Sequence, residues 1–505
     1  MMPLMCYARI AFLLVGIIVI VPVARGISYP LPVASRGVNA SSTLYPVDLR
    51  NFTIDEQIAL SSLQGSTSQY APLFYLLPSG MGKQRHKKQT TVWLSKYAVP
   101  VETIVNSYAT WLDELRIYWG VSVESLDAVH SVPAAIQIAV NHFVRARLGY
   151  VRTGPTDTES VAIGLMACSV AQAKGTVDLC LVITSDALEA EVVQYFPNAT
   201  KVRSFATNAS YHEYFADLSC DQYTAGVAAI QDYTKFPSLA DYIQFAGALT
   251  FFSWLQPPAA GGGGPVPPYV QPILRCVTRN SSAVGLFFGW GEDEFTTVEE
   301  VSRNAGGVVG SDWAMDLSVL TNYRGGVASS GSRVTEGPPA NPSVDRRHTV
   351  AFVTSDGDNV QWILNAFLDQ QWYGSPDRGK VPVTWTLSPT LGSLAAATDH
   401  YLRRHATEND TFIAGPSGFA YYYPESAAQS PNRSAACTMS ALSNAVLPNG
   451  NGIVNVIGTS NSANEAFAAM RNLATCAPNT STLLYYPYAG YCELGGKMAF
   501  DSAHA

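Results

Sequence analysis

Charged residues are scarce in this chain of 505 residues. They make up 14% of it, whereas hydrophobic residues make up 47%. A disordered chain has the opposite balance, with many charges and few apolar residues, so the composition excludes that class. The length is sufficient for two or three packed domains.

Positive charge is also lacking, since the formal net charge is −8. A protein that binds nucleic acid normally carries a basic face. The one basic cluster, Lys83–Lys88, lies in a polar stretch that reads as a solvated loop or a proteolysis site. We therefore expect no nucleic-acid partner.

Long apolar runs are absent except at the start. Arg9 precedes an apolar run over residues 10–21, and Ala24-Arg25-Gly26 follows it. This pattern is typical of a secretory signal peptide with cleavage after Gly26. The run is shorter than the roughly 20 residues of a membrane span, although a signal anchor is the alternative. Eight Asn-x-Ser/Thr sequons agree with an N-glycosylated protein that is secreted or lumenal. We expect no membrane association after the signal is removed.

Recognisable metal and serine-nucleophile patterns are missing too. The cysteine spacings match no zinc motif, and His400 and His405 are five residues apart, the wrong spacing for one helix face. Ser417 is not in a G-x-S-x-G elbow. We expect no cofactor and no resident metal, with Ca²⁺ or Mg²⁺ on Asp356 and Asp358 as the open alternative. Seven cysteines follow the signal, with Cys168–Cys180 and Cys437–Cys476 as suggested pairs.

The chain divides at a stretch rich in proline and glycine. The predicted segments are a signal peptide (1–26), an irregular lead (27–44), an N-terminal α/β domain (45–256), a linker or loop (257–268) and a C-terminal domain (269–505). In the N-terminal domain, strands are predicted over residues 90–98, 160–168 and 176–185, and helices over residues 54–65, 101–118 and 134–149.

After the linker, seven strand-like segments recur, and several of the intervals have helical spacing. Apolar strands that alternate with helices predict a parallel sheet covered on both faces. The fold class is therefore α/β, with a mixed N-terminal domain and an irregular (β/α) TIM-like barrel. In such a fold the carboxyl ends of the strands carry the site, and acidic and aromatic residues collect at these ends here.

The stretch Asp356-Gly357-Asp358-Asn359 brings two carboxylates to one strand end. A turn with a helix cap is the plain interpretation of these residue types. The functional interpretation is a carboxylate pair that divides acid and base roles, as glycoside hydrolysis requires. The catalytic candidates are Asp356, Asp358, Glu294 and Asp312, with Glu292 and Asp293 also eligible.

Aromatic and polar residues at the other strand ends suit a polyol substrate. A packed loop or a core tryptophan is the competing interpretation for each of them. The substrate-binding candidates are Trp290, Trp313, Asn359, Trp385, Ser417, Tyr421 and Tyr423.

The segment Gly418–Pro424 resembles the signature of the GxGYxYP family, whose members are described as putative glycoside hydrolases. Ala420 stands where the motif has its second glycine. The stretch from Asp356 to Trp362 is similar to the DGDN signature of the family, and residues 48–65 are similar to its opening segment. The resemblance implies an N-terminal α/β domain and a barrel-like C-terminal domain, and it carries no assigned catalytic residue. A methyl group at Ala420 would reshape the loop if the backbone there needed a positive φ.

Three functions are open on these grounds. The first is a secreted glycoside hydrolase that acts on an oligo- or polysaccharide through a carboxylate pair at the barrel mouth. The second is a carbohydrate-binding protein without catalysis, which the change at Ala420 favours. The third is a metal-dependent carbohydrate esterase. The paired Asp356 and Asp358 favour this function, and the absence of a His-x-x-x-His motif counts against it. In each case the expected partner is a carbohydrate.

Overall fold

The structure is a computed structural model that describes most of the chain. The described residues are 43–79, 100–156, 158–205, 209–216, 219–252, 269–278, 284–291, 293–323, 352–357, 359–430, 437–438, 452–459, 463–476 and 480–488. The predicted signal peptide, the 257–268 linker, and the strand predicted over residues 90–98 lie outside these ranges.

Strands and helices alternate along the described residues. The strands are β1 (Thr43–Asp48), β2 (Phe74–Leu77), β3 (Ser122–Val123), β4 (Leu148–Arg152), β5 (Leu179–Ile183), β6 (Thr200–Ser204), β7 (Val227–Ile230), β8 (Leu249–Phe251), β9 (Gly285–Gly289), β10 (Gly306–Val309), β11 (Val383–Leu387), β12 (Asp410–Ala414), β13 (Gly452–Gly458) and β14 (Thr480–Pro487). The helices are α1 (Ile54–Ser68), α2 (Val101–Tyr118), α3 (Val132–His142), α4 (Ser160–Ala173), α5 (Asp186–Tyr195), α6 (Tyr211–Ala216), α7 (Ala240–Ala246), α8 (Val270–Val277), α9 (Glu294–Arg303), α10 (Leu317–Leu320), α11 (Val360–Asn365), α12 (Leu391–Leu394), α13 (Ala396–Arg404), α14 (Pro424–Ala428) and α15 (Ala463–Cys476).

The strands form four sheets, with the orders β2-β1-β3, β5-β4-β6, β10-β9-β7-β8 and β11-β12-β13-β14. Every strand pair within these sheets is parallel. Parallel neighbours need a crossover connection, usually a helix, and the helices cover the sheet faces. The predicted mixed α/β class with parallel sheets is confirmed, but no sheet closes on itself within the described residues, so a TIM barrel is not established.

The third sheet crosses the segment predicted to be a linker. Strands β7 and β8 precede residues 257–268, strands β9 and β10 follow them, and β7 pairs with both β8 and β9. The proline- and glycine-rich segment therefore connects elements of one sheet. Its composition indicated a break in regular structure, which is not the same as a domain boundary.

Helix α1 is almost entirely buried, although it carries many polar residues. Its serines complete the edge of the β5-β4-β6 sheet: Ser62 Oγ accepts from Val182 N at 3.0 Å, and Ser66 Oγ accepts from Cys180 N at 2.9 Å. A buried strand edge must satisfy its N–H groups somewhere, and the α1 hydroxyls do this. The polar residues of α1 thus follow from its position between layers.

The strand predicted over residues 160–168 is wrong, because these residues begin helix α4. Nearly every residue of α4 is buried, so the helix shows a continuous apolar run instead of a one-sided stripe. A fully buried helix and a fully buried strand have the same apolar pattern, and only length separates them. None of the helices within the described ranges is long and apolar enough to cross a membrane.

Three disulfides connect elements of the fold. Both suggested pairs, Cys168–Cys180 and Cys437–Cys476, are present, and Cys220–Cys276 is a third. The first joins α4 to β5, and the third pair joins the segment before β7 to α8.

Candidate active site

The site lies where the signature motif, which follows β12 of the fourth sheet, pairs with β10 of the third sheet. Tyr421 and Val308 of β10 exchange two backbone hydrogen bonds, of 2.9 and 2.8 Å, in an antiparallel bridge. The segment before Asp356 pairs with β11, since Thr354 N donates to Thr384 O at 2.9 Å. These contacts place the residues that follow β9, β10 and the segment at 352–354 beside the GxGYxYP-like motif.

Glu294 begins helix α9, just after β9. Its neighbour Asp293 caps this helix by accepting from Thr296 N at 2.8 Å and from Thr296 Oγ1 at 2.6 Å. Glu294 Oε1 accepts a hydrogen bond from the Tyr421 hydroxyl at 3.1 Å. Burial raises the pKa of Glu294 to about 7; the Tyr421 hydrogen bond opposes this rise, and the charges of Asp356 and Asp293 add to it. Glu294 is therefore an acid that keeps its proton near neutral pH.

Asp356 follows the strand-like segment at residues 352–354. Its side chain remains exposed, yet surrounding protein removes enough water to raise the pKa of this carboxyl, while a Ser355 hydrogen bond lowers it. Asp356 lies close enough to Glu294 for its charge to raise the Glu294 pKa. The two carboxyl groups share one site, and the negative charge of Asp356 favours the protonated form of Glu294.

Gly357 explains the spacing of the two aspartates. Its carbonyl accepts from Ser388 N at 2.7 Å, and a Cβ at this position would collide with the Thr386 carbonyl oxygen. Only glycine allows this close approach of the turn to β11. Asp358, the second aspartate, lies outside the described residues, as does Glu292.

Aromatic rings pack around Tyr421, whose hydroxyl contacts the Glu294 carboxyl. The Tyr421 ring meets the half-buried Trp290 edge-on at 6.0 Å, and it meets the Tyr423 ring at 5.7 Å. Tyr423 is buried and also packs on Phe295 at 5.5 Å, and Tyr488 lies 5.9 Å from it. Edge-to-face packing of this kind fixes ring orientation.

The substitution in the signature motif leaves the backbone relaxed. Gly418, the first motif glycine, has φ +117°, which an L-residue rarely adopts. Ala420 is not among the residues with positive φ, and it is buried. The concern that its methyl group reshapes the loop through a positive φ therefore does not apply.

Asp312 forms a buried ion pair next to this group. It is 1% exposed, and one of its carboxylate oxygens, Oδ2, pairs with Lys235 Nζ. Its other oxygen has no hydrogen-bond partner in the described part of the chain. Lys235 lies 5.6 Å from the centre of the Trp313 ring, a cation–π contact. The structure thus gives Asp312 a cation partner, whereas neither Glu294 nor Asp356 has one among the causes of its pKa shift.

Helix α11 connects Trp313 to the Asp356 turn. Gln361 Oε1 accepts from Trp313 N at 2.5 Å, and Asn365 Nδ2 donates to Trp313 O at 3.2 Å. Asn359 does not cap this helix with its side chain, and its Oδ1 is buried with no partner in the described residues. Trp313 is half-buried, so part of its ring can meet a ligand.

Besides Tyr421 and Tyr423, two more of the predicted substrate-binding residues lie inside the packing. Trp385 is 6% exposed, donates from Nε1 to Asp410 Oδ1 at 2.7 Å, and packs edge-on against Phe367. Ser417, at 1% exposure, links the motif to β13 through hydrogen bonds of 3.3 Å with Ile457 N and O. The structure does not bring these two side chains into the group around Glu294.

Two residues of the site region were missed by the sequence reasoning. Lys235, the partner of Asp312, follows β7 and has no local pattern that marks it. Glu425 directly follows the signature motif; it accepts from Thr459 N at 3.3 Å and from the Tyr485 hydroxyl. Its position directly after the signature motif could have marked it. Within the described residues, no group of three or more His, Cys, Asp or Glu side chains could hold a metal ion.

Comparisons with known proteins identify the family of this chain. Residues 346–503 match the family model described as "GxGYxYP putative glycoside hydrolase C-terminal domain", and residues 223–322 match the "GxGYxYP third domain". The second match spans the 257–268 segment, as the third sheet does. A search of the curated proteins finds no match.

One solved structure has a similar fold. It is the crystal structure of "a putative hydrolase from Bacteroides thetaiotaomicron VPI-5482", with a TM-score of 0.65 and 18% identity. The match covers 91% of this chain and 80% of that one. The two family models together account for about half of this chain and include both signatures, so the chain belongs to the GxGYxYP family.

Proposed function

We propose that the protein is a secreted glycoside hydrolase that acts on an oligo- or polysaccharide, with Glu294 as the general acid and Asp356 as its carboxylate partner. The observation that carries this proposal is the pair itself. Burial raises the pKa of Glu294 to about 7, and the negative charge of the neighbouring Asp356 adds to this rise, which favours a protonated Glu294 beside a charged Asp356. Two carboxyl groups divided in this way are what glycoside hydrolysis needs.

In the proposed reaction, Glu294 gives its proton to the glycosidic oxygen while the bond from this oxygen to the anomeric carbon breaks. Asp356 either attacks the anomeric carbon or takes a proton from the water that attacks it. The half-buried rings of Trp290 and Trp313 would stack on sugar rings. Asp358 is the alternative partner of Glu294.

The buried position and cation partner of Asp312 support an accessory role for it. Its charge is neutralised by Lys235, and little of its surface can reach a substrate. We also propose a barrel-like arrangement of β7–β14. The bridge between Val308 of β10 and Tyr421, which lies in the segment that follows β12, supports this arrangement.

The test is a hydrolysis screen with product detection by mass spectrometry. The panel contains aryl glycosides and oligosaccharides, and the proteins are the wild type, Glu294→Gln and Asp356→Asn. We expect product from the wild type and, on the oligosaccharides, a loss of about 10²–10⁴-fold in each variant. Proton NMR of the first product would show whether the configuration at the anomeric carbon is retained or inverted.

Matched controls are Glu299→Gln and Asp377→Asn, which change side chains in ion pairs with Arg303 and Lys380. Both should keep wild-type turnover. Glycan binding without any product would favour a carbohydrate-binding protein. Acetate release that a chelator abolishes would favour the esterase.

A further inference from the structure

The Tyr421 side chain has almost no surface to offer a substrate. It is 1% exposed, and Tyr423 is fully buried. A sugar-stacking tyrosine must present a ring face, so the substrate-binding role predicted for Tyr421 has little contact area. Its hydroxyl instead donates to Glu294 Oε1 at 3.1 Å.

We infer that Tyr421 is a positioning residue for the acid: it holds Oε1 of Glu294 and leaves Oε2 as the oxygen that gives its proton to the substrate. This inference rests on the proposed glycoside hydrolase function. In this role Tyr421, the first tyrosine of the signature motif, contacts the Glu294 carboxyl and not the sugar.

The backbone of Tyr421 is fixed before any substrate binds. Two hydrogen bonds with Val308 hold it on β10, and β9, the neighbour of β10, leads directly to Glu294. Trp290 and Tyr423 confine the ring from two sides. A catalytic group is best oriented by a partner whose own conformation is locked by packing, and Tyr421 meets this condition.

The hydrogen bond also determines which oxygen carries the proton. An oxygen that accepts from Tyr421 acts as the carbonyl oxygen of the carboxylic acid, so the O–H lies on Oε2. When Oε2 releases this proton to the glycosidic oxygen, a carboxylate remains. The Tyr421 hydroxyl then donates to a charged oxygen, and such a bond is stronger than the one it replaces.

The hydroxyl of Tyr423 lies 3.5 Å from that of Tyr421. The hydroxyls of Tyr423 and Tyr421 and the carboxyl of Glu294 thus lie in series, each next to the following one. Two effects on the Glu294 pKa oppose each other: burial raises this pKa, and the Tyr421 hydrogen bond lowers it.

The first experiment needs no substrate. Glutamate is labelled with ¹³C at Cδ, the Glu294 signal is identified by its loss in Glu294→Gln, and its titration is followed in the wild type, Tyr421→Phe and Tyr422→Phe. Removing the Tyr421 hydroxyl should raise the Glu294 midpoint by about one pH unit. Tyr422→Phe, the same change in the same motif, should leave the midpoint in place. An unchanged midpoint in Tyr421→Phe, or an equal change in Tyr422→Phe, would overturn the inference.

Thermal unfolding checks that Tyr421→Phe is folded. If it is not, tyrosine is labelled at Cζ in the wild type, and the Tyr421 signal should follow the Glu294 titration and lose this dependence in Glu294→Gln. A Tyr421 signal that ignores the titration would also overturn the inference.

The second experiment uses whichever glycoside the screen identifies. A positioning role predicts that Tyr421→Phe lowers kcat, leaves KM nearly unchanged and moves the alkaline limb of the pH profile upward. A change in KM alone would assign Tyr421 to substrate binding. If no glycoside is cleaved, the proposed function fails, and the titration still decides whether Tyr421 holds Glu294.

Discussion

Two pairs of carboxyl groups in this protein have raised pKa values, and they differ in access to solvent. Asp241 and Asp316 are 1% and 0% exposed. Asp356 is exposed and Glu294 is half-buried. Burial is the largest cause of the raised pKa in all four groups. A raised pKa is therefore no sign of catalysis by itself, and access decides between a site and a core.

Asp241 and Asp316, called the closed pair because both are buried, connect several elements of the fold. Asp316 Oδ1 accepts from Leu76 N at 2.8 Å and from Gln64 Nε2, and Asp241 Oδ2 accepts from Ser318 N at 2.9 Å. One oxygen of each carboxyl has no hydrogen-bond partner in the described residues. Tyr75, Tyr108 and Asp241 are the titratable groups whose charges interact with Asp316, and none is a cation. Uncompensated burial favours the protonated form of both acids.

The largest expected effect is at Glu294 and Asp356, called the open pair because solvent reaches them. Substitutions there should lower activity without lowering stability. Glu294→Gln and Asp356→Asn should each lower kcat/KM by about 10²–10⁴-fold, because each removes a reacting group. Their thermal midpoints should stay at or above the wild-type value, since a desolvated acid is replaced by a neutral amide. Calorimetry beside the kinetic assay checks this, and a large loss of stability in either variant would make the pair structural.

The closed pair should respond in the opposite way. Asp316→Ala leaves Leu76 N and Gln64 Nε2 without an acceptor, so the free energy of unfolding should fall by about 2–4 kcal/mol. Turnover per folded molecule should not change. Asp316→Asn keeps an acceptor oxygen and is the matched control, with a smaller loss in urea unfolding. Equal losses in the two variants would contradict the hydrogen-bond account.

Asp241 should give the protein a pH-dependent stability. Burial raises its pKa to about 6, above the unfolded value of about 3.9. A raised folded pKa means stability that is complete below the unfolded pKa and is lost as the pH rises through the folded pKa. The loss should amount to about 2–3 kcal/mol between pH 4 and pH 7. Asp241→Asn should remove this part of the pH dependence, and identical pH profiles would show that Asp241 does not titrate there.

Glu294 should set the alkaline limit of activity. Its protonated form is the acid, so kcat/KM should fall as the pH rises above about 7. The decline should reach about tenfold per pH unit once Glu294 is ionised. A profile that stays flat to pH 9 would exclude Glu294 as the acid.

The smallest expected effect is at the motif position that departs from the family. Ala420→Gly restores the signature at a residue without positive φ. We expect unchanged activity and a loss of stability of at most about 1 kcal/mol, because glycine gains no needed conformation and adds chain entropy. A clear gain in turnover would show that the methyl group impedes the substrate.

The sequence located the strand ends better than the side chains that face the site. Local apolar runs predicted β9 and β10 because these strands are buried on both faces, and this prediction placed the acids that follow them at strand ends. Trp385 and Trp290 look alike in sequence, and only tertiary packing makes one a core residue and the other a half-buried ring. Lys235 could not be paired with Asp312, because 77 residues separate them.

The acid assignment is tested most directly by leaving-group dependence in Glu294→Gln. A dinitrophenyl glycoside leaves without protonation, whereas an alkyl glycoside or oligosaccharide needs the acid. The account predicts that Glu294→Gln keeps much of its activity on the activated substrate and loses about 10²–10⁴-fold on the unactivated one. An equal loss on both substrates, or no loss on either, would contradict the role of Glu294 as the proton donor.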